Sequence, residues 1–422
     1  MTIQETLDFI HNEKWVGSKP GLSRTRQLLH KIGDPHRKCA FVHVAGTNGK
    51  GSVSAMLASV LTHAGYRTGL YTSPYLYRFN ERMQVDGRPI PDNELMEITD
   101  KIKPHVLALE DSPTEFELVT AFAFEWFAQK QCDIVALEVG MGGRLDSTNV
   151  IESPECSVIT NIGLDHTKEL GGTLSLIAAE KAGIIKPGRP TVLYEQTPEV
   201  TQVVTEVCRQ RNSELRIADF SRIRITSDSR EGQVFSYKDS GELRISLSGE
   251  NQLKNAVLVL EVVEVLRENG WNISGGALSH GLAEARWPAR FEIVSRDPWF
   301  VVDGGHNPQG AETVAANLKN YFPQMRTILL VGVLSDKDYT QMMDILAPAA
   351  NGFVAVAPSN PRALPAAKLA KVLEKYGKPV TACSSIKEGI ETAVSAAGAD
   401  GVVCSVGSLY MAGETRSYFG LT

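Results

Sequence analysis

The sequence lacks a long apolar run, an excess of basic residues and paired cysteines, and each absence excludes a class of protein. No run approaches the ~18 apolar residues of a membrane span, and residues 1–15 lack the apolar core of a secretory signal. A formal net charge of -6 argues against broad binding of nucleic acid or of a membrane surface. The six cysteines stand singly, without the C-x-x-C spacing of zinc or redox pairs. We therefore expect a cytoplasmic protein without nucleic-acid or membrane partners.

Length and patterning indicate two α/β domains. A chain of 422 residues is long enough for two or three domains of roughly 100–200 residues each. From residue 40 onward, short apolar runs alternate with amphipathic stretches, which is typical of βαβ units around a mainly parallel sheet. A second such series begins after residue 295, and neither an internal repeat nor a low-complexity tract is present. We predict a first domain over 1–295 and a smaller one over 296–422, with ligands in the cleft between them.

Individual strands and helices can be placed from the apolar runs. The segment from 215 to 248 carries short runs and turn signals, so we predict antiparallel hairpins there, at the edge of the first sheet. A helix is predicted over Phe116–Gln131. The predicted strands are Phe41–Ala45, Thr68–Tyr71, Ile134–Val139, Ser157–Ile162 and Thr191–Tyr194 in the first domain, and Phe300–Asp303, Thr327–Val333, Phe353–Ala357 and Val402–Ser405 in the second.

A glycine-rich loop joins the first predicted strand to a helix. Its glycines let backbone N–H groups approach phosphate oxygens, while Lys50 and the helix N-terminus supply positive charge. The loop departs from the G-x-x-x-x-G-K-[ST] pattern, because Val44 stands at the first glycine position and Gly51 at the magnesium-binding hydroxyl. Either Ser52 replaces that hydroxyl or another residue holds the metal; the alternative is a glycine turn without a ligand. The predicted phosphate-binding residues are Gly46, Thr47, Asn48, Gly49, Lys50, Gly51 and Ser52.

Polar side chains at the ends of apolar strands form a second group of candidates. Glu138 ends an apolar run, and a carboxylate buried there would need a cation or a hydrogen-bond donor, for which magnesium is suitable. His166 follows the strand predicted at 157–162, although a lone histidine is more often a structural residue. Ser73 precedes Pro74, a pair that usually means only a turn. These three residues are candidates that need further context.

Two further segments carry unusual polar groups. Lys181 lies in an apolar stretch, Leu174–Ile185, where a buried lysine would lose its charge readily and become open to chemical modification. A surface lysine with a buried stem is the alternative. Asp303 and His306 lie in DGGHNP between a predicted strand and a helix, and their clustering indicates a site. Helix capping before Pro308 is the simpler explanation of that loop.

Taken in order, these segments resemble the folylpolyglutamate synthase and dihydrofolate synthase family, which is related to the Mur peptide ligases. The resemblance spans nearly the whole chain and is carried by HVAGTNGKGS, TSPYL, TEFE, EVGMGGRLDSTN, NIGLDH, EKAGI, WPARFE, DGGHNP and GSLYMAGE. Ala289 and Gly305 are departures, where Gly and Ala are expected, and neither removes a functional group. The implied fold is a P-loop NTPase-like domain with a mainly parallel sheet, followed by a smaller Rossmann-like α/β domain.

The resemblance implies an ATP-dependent ligase that activates a folate carboxylate as an acyl phosphate and joins it to the amino group of L-glutamate. The glycine loop would bind the ATP phosphates with Lys50 as a catalytic residue, and Ser73, Glu138 and His166 would hold Mg²⁺. Lys181 would be a carbamylated lysine that is catalytic and helps to bind metal. The resemblance also implies that the nucleotide contacts Asn255, Arg290 and Asp303. The pterin would contact Thr114, Glu115, Phe116, Glu117, Leu145, Asp146, Ser147 and the segment Gly21-Leu22-Ser23-Arg24. Glutamate would contact His306, as a catalytic residue, and Ser408.

The sequence disfavours two rival interpretations. A Mur-type ligase acting on a nucleotide-linked peptide is disfavoured, because such enzymes carry a substrate domain before the phosphate loop. Here the glycine loop begins as early as residue 45. A nucleotide switch without ligase chemistry is disfavoured by Glu138, His166 and Lys181. The expected small-molecule partners are ATP, folate or dihydropteroate, and L-glutamate, with Mg²⁺ as cofactor and the chain acting as a monomer. The sequence leaves open whether dihydropteroate is also a substrate and how long the glutamate tails become.

Overall fold

The protein forms two compact units in a computed structural model, which describes residues 1–12 and 21–421. Both units are discontinuous in sequence. The expected division at 295/296 falls within a strand, Glu292–Arg296, that pairs antiparallel with Trp299–Val302, so its hydrogen bonds join this hairpin to the second unit. The first unit comprises Met1–Arg224, Phe235–Arg244 and Lys254–Ala285, and the second comprises Ile225–Val234, Ile245–Leu253 and Arg286–Thr422.

The first unit is built on an eight-stranded sheet. Its strands are β1 (Ala40–Ala45), β2 (Thr68–Tyr71), β3 (Met83–Val85), β4 (Arg88–Pro89), β5 (Ile134–Glu138), β6 (Cys156–Ile159), β7 (Thr191–Leu193) and β8 (Leu215–Ile217). Their order is β4-β3-β2-β5-β1-β6-β7-β8; neighbours from β2 to β8 are parallel, and β3 and β4 are antiparallel additions at one edge. All five strands predicted for this part of the chain are present.

Helices pack around this sheet and bury its apolar side chains. One core cluster joins Phe122 and Phe127 to strand residues such as Leu137, and another joins Ile177 and Val204 to Ile159. The predicted helix at 116–131 is present. The helices of this part of the chain are α1 (Ile3–Ile10), α2 (Ser23–Lys31), α3 (Lys50–His63), α4 (Asp92–Leu107), α5 (Glu115–Gln129), α6 (Thr167–Leu170), α7 (Leu174–Ala182), α8 (Pro198–Arg211), α9 (Glu250–Glu268) and α10 (Gly275–Glu284).

Residues 215 to 248 differ from the predicted edge hairpins. The first of these segments is β8, which continues the parallel sheet by pairing with β7, with Leu193 opposite Ile217. The other strands form a separate three-stranded sheet in the order β11-β10-β9. The turn signals therefore located the strands correctly, but they did not determine which strands pair. The three strands are β9 (Ile223–Ser229), β10 (Gly232–Tyr237) and β11 (Glu242–Ile245).

The second unit is built on a six-stranded sheet in which only the first pair is antiparallel. The order is β12-β13-β17-β14-β15-β16, and the four strands predicted here are present. The strands are β12 (Glu292–Arg296), β13 (Trp299–Val302), β14 (Thr327–Val331), β15 (Gly352–Ala355), β16 (Val380–Ala382) and β17 (Val402–Val406). The helices are α11 (Pro308–Tyr321), α12 (Tyr339–Leu346), α13 (Ala366–Leu373), α14 (Ile386–Ala397) and α15 (Leu409–Tyr418). The predicted α/β fold class is confirmed. Within the described ranges, no helix is both long and apolar enough to cross a membrane.

Helix α3, which follows the glycine loop, is fixed by a close contact with α10. Ser59 Oγ donates a hydrogen bond to the carbonyl oxygen of Gly281 at 2.7 Å. A Cβ atom added at Gly281 would lie 2.4 Å from the Cα of Val60, a distance that side chains do not tolerate. Glycine at this position therefore lets the two helix backbones approach each other.

We predict that Gly281→Ala lowers the free energy of unfolding by about 1–3 kcal/mol, because the added methyl group forces the two helices apart. Urea denaturation would measure the change. Gly275→Ala is the matched control, since a Cβ at Gly275, in the same helix, meets nothing within 4 Å. A Gly281→Ala variant as stable as the control would show that this close approach does not constrain α3.

Candidate active site

The loop between β1 and α3 requires glycine at two positions. Gly46 and Gly49 have φ angles of 155° and 89°, which favour glycine over other residues. A Cβ at Gly46 would lie 1.7 Å from Thr160 Oγ1, and one at Gly49 would lie 2.6 Å from Asn255 Oδ1. The loop therefore passes closely between the end of β6 and the buried Asn255 of α9, the residue that the family resemblance links to the nucleotide.

Hydrogen bonds from the segment after β6 hold this loop in place. Thr47 N donates to Asn161 O at 2.8 Å, and Thr160 Oγ1 donates to Asn48 O at 2.8 Å. Gly163 N donates to Thr47 Oγ1 at 3.1 Å. The loop thus has a fixed backbone at the N-terminus of a 14-residue helix, where the partial positive charge of the helix favours an anion.

Lys181, from helix α7, reaches the same loop. Its side chain is only 4% exposed, and Nζ donates to the carbonyl oxygen of Gly46 at 2.7 Å. Burial lowers the pKa of the Lys181 amine to about 7, and the charge of Lys50 adds to this shift while Asp165 and Asp146 oppose it. The prediction of a buried lysine is confirmed, and the surface-lysine alternative is wrong. A large fraction of this amine is neutral near pH 7.

Glu138 and Ser73 meet at the carboxyl edge of the sheet. Glu138 ends β5 opposite Val44 of β1, and its side chain is 4% exposed. Its Oε2 accepts a hydrogen bond from Ser73 N, which follows β2, at 3.2 Å. The strands β2, β5 and β1 are adjacent and parallel. Their carboxyl ends therefore place Glu138 and Ser73 next to the strand that leads into the glycine loop.

His166 occupies a different setting from the two other predicted metal ligands. It is exposed, has a φ angle of 50°, and precedes the four-residue helix α6, with its backbone N–H bound to Asp165 Oδ1 at 2.8 Å. Across residues 1–12 and 21–421, no three His, Cys, Asp or Glu side chains are grouped as a metal site.

Two of the three predicted pterin segments lie beside each other. Phe116 packs on Gly140, where an added Cβ would lie 2.3 Å from the Phe116 ring, and Ser147 Oγ lies 2.6 Å from Thr120 Oγ1 of helix α5. Leu145 is 37% exposed. The structure thus brings the start of α5 and the loop at 145–147 to one place.

Asp146 is the most constrained residue of that loop. Its carboxylate accepts hydrogen bonds from Met141 N at 3.0 Å and from Thr148 N at 3.0 Å and Oγ1 at 2.5 Å. Burial raises the pKa of Asp146, and these hydrogen bonds oppose the shift. The Thr148 hydroxyl also lies 2.9 Å from Nε2 of the buried His43 in β1. The orientation of Asp146 is thereby linked to the strand that carries the glycine loop.

Glu117 is engaged in a buried ion pair. Two carboxylate–guanidinium contacts of 3.1 Å join it to Arg24 of α2, and its Oε2 accepts from Thr114 N at 2.7 Å. Glu115 Oε1 lies 3.3 Å from His11 Nδ1. These contacts tie the start of α5 to α1 and α2, so Glu117 fixes the position of its segment and of the GLSR segment that contains Arg24.

In the second unit, Asp303 organises the loop after β13. Its carboxylate accepts from Phe291 N at 2.8 Å and Gly305 N at 2.6 Å. Burial raises the pKa of Asp303, against the charge of Arg290 and these two hydrogen bonds. His306 Nδ1 lies 3.0 Å from Gly304 O.

Helix capping accounts for two polar residues near these candidates. Asn307 Oδ1 caps α11 by accepting from Gly310 N at 2.8 Å, which confirms the capping explanation for that residue. Ser408, 2% exposed, caps α15 by accepting from Tyr410 N at 3.2 Å. The Ser408 hydroxyl therefore has a structural partner.

Thr160 was missed by the sequence analysis, although its hydroxyl holds the glycine loop. A signal was present, because Thr160 ends an apolar run in the same way as Ser73 and Glu138. Thr120 was missed for a different reason: it lies in the middle of a buried helix, where a threonine carries no distinctive pattern.

Comparison with known proteins places these residues in context. Residues 44–263 match the family model of the Mur ligase middle domain, and residues 289–409 match that of the Mur ligase glutamate ligase domain. The chain is 39% identical to the dihydrofolate synthase/folylpolyglutamate synthase of Bacillus subtilis, over 98% of both chains. It is 36% identical to the folylpolyglutamate synthase of Lacticaseibacillus casei, over 99% of this chain and 98% of the other. The structure of Mycobacterium tuberculosis folylpolyglutamate synthase complexed with ADP superposes with a TM-score of 0.92 at 31% identity, over 100% of this chain and 98% of that one.

The pKa of Lys181 predicts a pH-dependent stability. Because this pKa falls from 10.5 to about 7 on folding, the unfolded chain binds the proton more tightly between these values. The contribution of the Lys181 amine to stability is therefore complete above pH 10.5 and is lost as the pH falls through about 7. We predict that the unfolding free energy of wild type rises relative to that of Lys181→Met between about pH 6.5 and about pH 9, as measured by urea denaturation. A pH-independent difference would mean that the folded protein keeps a charged ammonium group at this position.

Proposed function

The chain belongs to the folylpolyglutamate synthase and dihydrofolate synthase family of Mur-related ATP-dependent ligases, and we propose that it joins L-glutamate to a folate carboxylate. The observation that carries the proposal is the arrangement around the glycine loop. Lys181 contacts the loop at Gly46, and Glu138 ends the strand beside the one that leads into it. A switch that only binds nucleotide would not require this buried lysine and carboxylate.

In this proposal, the glycine loop Gly46–Ser52 binds the phosphates of ATP. Its backbone is already fixed by Asn161 and Thr160, so little ordering is needed when phosphate binds. Lys50, at the first position of α3, places its ammonium group to neutralise the γ-phosphate. Asn255 lies against Gly49 and is suited to contact the nucleotide. We propose the same nucleotide-binding role for Arg290 and Asp303 on the grounds of family resemblance.

The metal-binding proposal assigns Mg²⁺ to Ser73, Glu138 and His166. A carboxylate and a hydroxyl at a sheet edge fit the oxygen preference of this ion. The bound ion would neutralise charge on the phosphates. Lys181 is suited to carbamylation, because a neutral amine adds to carbon dioxide and releases one proton, giving a carbamate anion. Its lowered pKa makes that neutral form available near pH 7.

The first step of the reaction must overcome repulsion between two anions. A folate carboxylate and ATP repel each other, so positive charge from Lys50 and the α3 N-terminus must reduce that repulsion before the carboxylate oxygen attacks the γ-phosphorus. ADP leaves and an acyl phosphate forms. The neutral amine of glutamate adds to the acyl carbon, loses a proton, and the tetrahedral intermediate expels inorganic phosphate to leave an amide.

The substrate assignments follow the family pattern and the local geometry. We propose that the segments Thr114–Glu117 and Leu145–Ser147 line the pterin end of the site. Within them, Glu117 would act through its ion pair with Arg24 and not by direct contact. His306 and Ser408 are assigned to the glutamate end, in a C-terminal glutamate-ligase domain over 296–422 that follows an ATP-binding domain over 1–295. We further propose that the protein acts as a cytoplasmic monomer and binds no nucleic acid.

We predict that tetrahydrofolate, ATP and L-glutamate together give ADP and a product heavier by one glutamyl residue. ADP release would be followed by a coupled assay and the product by mass analysis. Dihydropteroate, offered separately, tests for the additional dihydrofolate synthase activity that the Bacillus subtilis relative's name includes. Lys50→Ala should lower kcat at least roughly 100-fold, because the γ-phosphate loses its positive partner.

Lys319→Ala is the control for this assay, since Lys319 is an exposed lysine of α11. It should retain wild-type activity. Near-normal ADP release by a folded Lys50→Ala protein would refute the phosphate-loop assignment. ADP release that does not depend on glutamate with either folate-class substrate would refute the ligase proposal.

A further inference from the structure

The loop between β2 and β3 holds Arg82 in a fixed position. The carboxylate of Glu81 accepts hydrogen bonds from three consecutive backbone N–H groups, those of Leu76, Tyr77 and Arg78, at 2.8, 3.1 and 2.8 Å. The carbonyl oxygen of Arg82 accepts from Thr72 N at 3.0 Å. Arg82 is therefore fixed beside the turn that presents Ser73.

Two of the three guanidinium nitrogens of Arg82 are buried without an acceptor in the described part of the chain. Its Nε and Nη1 atoms are buried and make no hydrogen bond there, while the residue as a whole is half-buried. Its Cζ lies 5.6 Å from the centre of the Tyr75 ring and 5.7 Å from that of Phe79. Two aromatic rings thus orient a permanently charged group and leave its N–H donors to be satisfied by another partner.

Arg24, a buried arginine of the same unit with a structural role, provides a comparison for Arg82. Its guanidinium nitrogens are shared between the carboxylates of Glu117 and Asp111, at 3.1 to 3.2 Å. Among residues 1–12 and 21–421, no carboxylate forms a comparable ion pair with Arg82. Leaving a charged donor buried without an acceptor is unfavourable, and a bound carboxylate would remove that cost.

The surroundings of Arg82 belong to the substrate end of the site. The pKa of Glu115 is lowered: burial opposes the shift, but the hydrogen bond and charge of His11, together with the charge of Arg82, outweigh it. The charge of Arg82 also acts on the buried Tyr71, which ends β2. The Tyr71 hydroxyl lies 3.3 Å from Thr120 Oγ1, which in turn contacts Ser147. The Arg82 charge therefore acts next to both proposed pterin segments.

We propose that Arg82 binds a carboxylate of the folate-class substrate, an inference that rests on the proposed ligase function. The planar guanidinium matches a carboxylate with two parallel N–H···O bonds, which a lysine cannot reproduce. ATP phosphates have their own loop and Lys50, so Arg82 is not needed for them. Two carboxylates are available on a folate, the one that reacts and the α-carboxylate of its glutamate, whereas dihydropteroate has only the reacting one.

Steady-state kinetics of Arg82→Gln and Arg82→Lys with each substrate test the proposal. We expect Arg82→Gln to raise KM for tetrahydrofolate roughly 10- to 100-fold, with Arg82→Lys between it and wild type and with KM for ATP unchanged. An equal rise for dihydropteroate would identify the reacting carboxylate as the ligand. A rise for tetrahydrofolate alone would identify the α-carboxylate.

Arg78→Gln is the matched control, because Arg78 belongs to the same loop but forms an exposed ion pair with Asp92 at 2.8 Å. It should leave every KM unchanged. Wild-type KM values for both folate-class substrates in a folded Arg82→Gln protein would overturn the inference, whatever the change in Tm. If Arg82→Gln does not fold, a wild-type KM in Arg82→Lys would overturn it. An inactive wild-type enzyme would instead refute the proposed function itself.

Discussion

The close approach of three chain segments at Gly46 is the constraint on which the rest of the site depends. Thr160 occupies the space where a side chain at Gly46 would lie, and Lys181 Nζ binds the Gly46 carbonyl oxygen. The end of β6 and the helix α7 are therefore placed by the same residue of the glycine loop. Parallel pairing of β2, β5, β1 and β6 then brings the other polar groups to the same edge of the sheet. In the proposed function, a fixed loop at this edge reduces the ordering that phosphate binding would require.

Positive charge is concentrated at this loop in a chain whose overall charge is -6. Lys50 and the N-terminus of α3 supply it, and the charge of Lys50 adds to the effect of burial in lowering the pKa of Lys181. Both lysines contact carbonyl oxygens of the loop, Lys50 at Thr47 and Lys181 at Gly46. In the proposed function, Lys50 neutralises phosphate and Lys181 reacts with carbon dioxide as a neutral amine.

Much of this arrangement could be predicted from the sequence, because parallel α/β folds mark their strands by apolar runs and their sites by polar groups at strand ends. Glu138 and the glycine loop became candidates in that way, whereas Ser73 needed the family resemblance as well. The pairing of Glu117 with Arg24 could not be found, since the two residues are 93 positions apart and neither segment shows its partner. Arg82 could not be predicted either, because the sequence does not show that two of its guanidinium nitrogens lack an acceptor in the described part of the chain. Strand β16 was missed because it is only three residues long and none of its residues is fully buried, so it leaves no apolar run in the sequence.

We propose that this protein activates a carboxylate by transferring phosphate to it, and the fate of the carboxylate oxygen tests this mechanism. Folate labelled with ¹⁸O in its reacting carboxylate would be turned over with ATP and L-glutamate, and the inorganic phosphate would be analysed by mass spectrometry or ³¹P NMR. An acyl phosphate requires one labelled oxygen to leave with each phosphate, because the carboxylate oxygen that attacks the γ-phosphorus stays bonded to it when the amide forms. Inorganic phosphate containing no ¹⁸O, formed together with the amide product, would contradict the mechanism.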